Sequence, residues 1–138
     1  MTNADPTPPA SSEPREGSRS RDLTASHLAF GWWTLLVFLV LGIVLEGLHS
    51  LKAGLYLDAS NETRRLLWTL SHAHGTLLAL VHVAFALSLP KLDPSRSGSI
   101  ELASRCLYAG ALLMPAGFCL GGVFVYEGDP GLAIVLAP

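Results

Sequence analysis

Charged side chains are scarce in this chain. Aspartate, glutamate, lysine and arginine make up 14% of its 138 residues, against about a quarter in an ordinary soluble domain. That shortage leaves too few charges to cover a water-facing surface, while half of the residues are hydrophobic. The net charge is −2. There is no basic stripe with interleaved aromatics, so the electrostatic footprint of a nucleic-acid binder is absent. Cysteine is rare as well, with Cys106 and Cys119 lying 13 residues apart in one apolar stretch. On a helix that spacing is roughly 20 Å, beyond the reach of a disulfide, so two free buried thiols are expected rather than a staple or a metal pair. No nucleophile elbow, phosphate-binding loop or cysteine-pair metal signature is present, and no internal repeat is evident. Residues 1–26 do not read as a secretory signal peptide, because the polar lead is too long and no small-x-small cleavage pattern follows a short apolar core.

What the chain has in quantity is oil. Residues 1–26, MTNADPTPPASSEPREGSRSRDLTAS, are polar and poor in large apolar side chains. They read as a disordered tail that cannot bury enough surface to offset its ordering entropy. From residue 27 onward the sequence reads as an all-α integral membrane helical bundle. Its spans cover about residues 28–51, 66–89 and 103–126, each near the roughly 20 residues needed to cross a hydrocarbon core of about 30 Å. In lipid the backbone must satisfy its own hydrogen bonds, which selects helices for runs of this length. Trp32, Trp33, Trp68 and Tyr126 sit near the span ends, where rings with a polar edge favour the headgroup region. After the turn chemistry of Gly128-Asp129-Pro130, the apolar segment 131–138 reads as the start of a fourth span. It implies either a truncated chain or a terminal segment that dips into the interface.

Lysine and arginine placement sets an expected orientation. Arg15, Arg19, Arg21, Lys91, Arg96 and Arg105 fall on one side, against Lys52, Arg64 and Arg65 on the other. The positive-inside rule then puts the N-terminus in the cytoplasm. Asn61-Glu62-Thr63 matches a glycosylation sequon.

The chemistry-bearing residues gather in the first two spans. On a helical projection His49, Lys52 and Tyr56 share an arc of about 60°, with Glu46 a further 60° or so round. In the second span, His72 and His74 are separated by about 200°, so a regular helix cannot bring both to one metal. A reversal around residues 58–59 would place Glu46 level with Ser71 and His49 level with Trp68. That arrangement puts Glu46, His49, His72 and His74 in one layer toward the outer side, as candidate ligands of a transition metal or a haem. The same layer also reads as a proton relay or as a structural polar cluster, with Lys52, Tyr56 and His82 as further members. His82 lies deeper and reads as a hydrogen-bonded structural histidine, and His27 as an interfacial residue. Gly75 removes bulk beside His74, for close packing or for a flat cofactor. Gly117 and Gly121 form a small-xxx-small pair for close helix approach. Pro115 is expected to kink the third span, with Met114 beside it as a packing residue.

The stretch Ser71-His72-Ala73-His74-Gly75-Thr76, opening an apolar helix, resembles the helix start of small bacterial multi-span membrane proteins with a His-x-His-Gly motif. It also resembles haem-copper oxidase catalytic subunits, in which a histidine followed by glycine ligates haem. The likeness spans about ten residues, and the oxidases have many more spans and ligand histidines. What it implies is a haem-ligand role for His74, with His72 beside it. The functions expected from the sequence are therefore haem or metal binding in a membrane redox or respiratory setting, a non-catalytic bundle component held by a structural polar cluster, or a small transporter or proton-conducting subunit. The expected partners are the lipid bilayer and other membrane subunits or further copies of the chain.

Overall fold

The structure is a computed structural model that describes residues 13–57 and 62–123. The partial apolar segment 131–138, Tyr126 and Asn61 of the sequon lie outside the described residues. Helix α1 (Glu13–Ser50) is followed by a single turn, α2 (Gly54–Leu57), then by α3 (Glu62–Ser88) and α4 (Ser97–Val123). Two 3-10 turns, Leu89–Lys91 and Pro94–Arg96, join α3 to α4. The three long helices are each long and apolar enough to cross a bilayer. By length and composition this is an all-α, multi-pass membrane bundle. Its outer faces expose Trp32, Trp33, Val37, Ile43, Leu77, Leu87 and Leu112, which suits lipid and would be a liability in water.

Helix α3 is the centre of the bundle and packs against both α1 and α4. Its buried residues are Leu67, Ser71, Gly75, Ala79, His82 and Ala86. They recur every three or four positions, which puts them on one side of the helix. Most are small, which lets backbones approach closely where no hydrophobic force drives helices together. The ring of Phe38 on α1 occupies the notch at Gly75, where an added Cβ would clash with the ring. On the other side Trp68 lies over Gly122 and donates its indole N–H to the Cys119 carbonyl at 3.3 Å. Gly117 and Gly121 are buried. The Ser71 hydroxyl donates to the Pro115 carbonyl at 2.8 Å, and α4 runs on through Pro115.

The start of α1 differs from that expected. Helix α1 begins at Glu13, so the second half of the stretch read as a disordered tail is helical. Its sequence places proline in the first turn, where the missing N–H is no loss. Arg19, two turns further on, forms an ion pair with Glu101 of α4. At its other end α1 stops after Ser50. Lys52 takes a positive φ of 51°, its N–H donates to the His49 carbonyl, and the Ala53 N–H donates to the Leu48 carbonyl. This is a Schellman termination with lysine in the position usually held by glycine. The turn and α2 use up residues that a simple reversal would leave in the helix. The register therefore slips, and His72 lies against Gly42, one turn before Glu46.

Candidate functional site

Three long helices contribute to a buried polar cluster at the end of the bundle near the α3–α4 connection. His27 stands at the start of the apolar run of α1, His82 on the small-residue stripe of α3, and Ser104 two turns into α4. Both histidines are fully buried, and Ser104 is 4% exposed. The Nδ1 atoms of His27 and His82 are 2.7 Å apart, and His27 Nε2 is 2.8 Å from the Ser104 Oγ. Aromatic rings enclose the pair. Tyr108 stacks on His27 with centroids 4.5 Å apart, Phe85 meets His27 edge-on at 4.7 Å, and Phe30 lies 4.5 Å from His82.

Hydrogen-bond chemistry restricts what this arrangement holds. A contact of 2.7 Å between two ring nitrogens requires one hydrogen between them, so one ring donates and the other accepts. In the neutral state His27 carries a single ring hydrogen. If it donates to His82, the Ser104 hydroxyl donates to its Nε2; if it accepts from His82, its Nε2–H donates to Ser104. His82 Nε2 is buried without a hydrogen-bond partner. The close Nδ1 pair leaves no room for an ion, because nitrogens about 2.0–2.1 Å from a tetrahedral metal stand more than roughly 3 Å apart.

Of the residues expected to form the site, His82 belongs to this cluster, and the others lie elsewhere and are not gathered. Glu46, His49 and Lys52 are exposed. Tyr56 is buried, 6.3 Å from the His49 ring and stacked at 6.3 Å on Trp68. His72 donates its Nδ1–H to the Phe38 carbonyl of α1 at 2.7 Å. His74 donates its Nδ1–H to the Leu70 carbonyl of its own helix at 2.9 Å, with its ring 5.0 Å from that of Phe118 on α4. The two therefore face different neighbours. Among the described residues, no three histidine, cysteine, aspartate or glutamate side chains are grouped to hold a metal. The gap beside His74 that a flat cofactor would need at Gly75 is filled by Phe38.

His82 finds its partner in His27, which is fully enclosed by the bundle. Sequence reasoning missed His27, Ser104 and Tyr108 as a site. In the structure His27 precedes Gly31 by one helical turn, and Gly31 packs directly on Ala79 and Val83, which bracket His82 on α3; the sequence carries no signal of that approach. Comparison with protein-family models, curated proteins and solved structures returned no match.

Proposed function

We propose that this chain is a non-catalytic component of a membrane assembly, oriented with its N-terminus in the cytoplasm, whose buried polar cluster locks three spans into one register. The observation that carries this reading is the double engagement of His27. A single imidazole bonds to α3 and α4 at once, and fully buried among aromatic rings its nitrogens have no water to fall back on. A polar group of this kind is costly unless partnered, so it selects the one arrangement of helices that partners it. Further membrane subunits, or copies of the chain, would meet the exposed apolar faces.

A second reading keeps the haem or transition-metal role, and one observation favours it. In both His72 and His74, Nδ1–H is donated to a backbone carbonyl, which leaves Nε2 as a bare lone pair in the tautomer that metal-ligating histidines adopt. Each would serve as a single ligand, on a different face of α3, with the remaining ligands supplied from outside the chain.

Absorbance and elemental analysis of the purified protein in detergent separate the two. The locking reading expects a colourless, metal-free preparation in which His27→Ala unfolds more readily. A Soret band or stoichiometric metal, lost in His74→Ala and retained in His27→Ala, establishes the second reading. A metal-free protein whose stability ignores His27→Ala overturns the first.

A further inference from the structure

Where α1 emerges from its apolar run, a cavity of about 480 Å³ opens between the first turns of α1, the Leu89–Lys91 turn and the start of α4. Its apolar wall is Leu23, Leu89, Leu92 and Ile100, and its polar wall includes Arg19 and Glu101. Leu23 lies between one and two turns before the apolar run at Leu28, and Ile100 one turn before Ala103. The cavity therefore sits at the depth where headgroups meet hydrocarbon. The Glu101 carboxylate receives two guanidinium groups, from Arg19 and, at 2.6 Å, from Arg105. One acid shared by two bases leaves a positive surplus. A guanidinium has five N–H donors, so both retain donors for a further anion.

We propose that this cavity is a binding site for one phospholipid with an anionic headgroup. Its phosphate meets Arg19 on the polar wall, beside the Glu101 carboxylate that Arg105 neutralises from outside the cavity lining, and its glycerol and first methylenes lie against Leu23, Leu89, Leu92 and Ile100. The charge surplus calls for an anion, and the apolar wall beside it calls for something an inorganic anion lacks. Arginine suits the role, because its planar fork matches phosphate oxygens. Glu101 acts in this site as a competitor, occupying donors that the phosphate would take. The inference goes beyond the locking role of His27 and rests only on the membrane placement of the chain.

The test uses the full chain in nanodiscs of phosphatidylcholine containing about one-fifth phosphatidylglycerol, with the lipid retained after release read by native mass spectrometry. One phosphatidylglycerol per chain is expected in preference to phosphatidylcholine. Arg19→Gln should lower its retention about fivefold, the effect of one basic residue near an anionic surface. Glu101→Gln should raise retention by a similar factor, a gain that misfolding cannot produce. Ile100→Trp fills the cavity without changing charge and should abolish retention, whereas Arg65→Gln at the far end of the bundle should leave it unchanged. Retention that falls in Glu101→Gln, survives Ile100→Trp, or falls equally in Arg65→Gln overturns the proposal. So does displacement of the lipid by millimolar inorganic phosphate, which would assign the site to a soluble anion.

Discussion

Replacing His27 by alanine removes a residue that bonds to both neighbouring helices, and its cost can be worked from the structure. Two interhelical hydrogen bonds are lost, at 2.7 and 2.8 Å. Inside membranes each contributes about 0.6 kcal/mol on average and up to about 1.7. The ring also leaves a hole among Phe85, Tyr108 and His82. Truncating a buried aromatic to alanine costs about 3–5 kcal/mol, and an imidazole, being smaller than a phenyl group, falls toward the low end. Part of that cost overlaps with the lost bonds, so the expected loss is about 3–4 kcal/mol. His82 is then left with neither ring nitrogen partnered, which makes its own truncation cheaper in the variant than in the parent. A double-mutant cycle on His27→Ala and His82→Ala should therefore return a coupling of about 1 kcal/mol. The assay is reversible SDS unfolding of bicelle-reconstituted protein followed by circular dichroism. His74→Ala is the comparison, since its hydrogen bond stays within one helix, and it should cost less than half as much. A loss below about 1 kcal/mol for His27→Ala, or a coupling indistinguishable from zero, refutes the reasoning.

Other consequences are open to measurement. Gly75→Ala places a methyl group against the Phe38 ring and should cost about 1–3 kcal/mol by overpacking; Phe38→Leu in the same background should recover more than half of it, and an uncompensated loss would mean the clash lies elsewhere. Lys52→Gly should raise stability by about 1 kcal/mol in the same SDS assay, because lysine there holds a φ of 51° that costs roughly that much for a residue with a Cβ. The Ser95 amide, and after it the Ser95 hydroxyl, holds the Asp93 carboxyl below the usual aspartate range. A depressed folded value means that the turn's contribution is full above the unfolded aspartate range and is lost as pH falls through the lowered value. An NMR titration of Asp93 should show that low midpoint, and Ser95→Ala should keep most of the shift because the backbone amide remains; a midpoint at the ordinary aspartate value would remove the turn's role.

The helical membrane architecture was legible because it depends on long uninterrupted runs such as FGWWTLLVFLVLGIVL, where composition alone determines the solvent. That His72 and His74 turn to different neighbours, Phe38 of α1 and Phe118 of α4, agrees with their separation on a helical wheel, although which helix each one meets was not legible. The level at which α1 meets α3 was not legible. It depends on the termination at Lys52, and no sequence rule announces a Schellman turn built on lysine. With that register uncertain, Glu46 and His49 were placed level with the histidines of α3, although the turn carries them past. His27 was assigned to the boundary by its position at the edge of an apolar run. Burial there depends on Tyr108 and Phe85, contributed by helices whose approach is visible only in three dimensions. The α1 extension back to Glu13 was hidden for a similar reason, since its pairing partner Glu101 lies 82 residues away.

The bonds joining Ser104, His27 and His82 have a property that follows from the imidazole at their centre. Because each ring has two nitrogens, the whole row of hydrogens can reverse direction while every heavy atom stays where it is. The three helices are thus joined by a link that has two senses and a single shape.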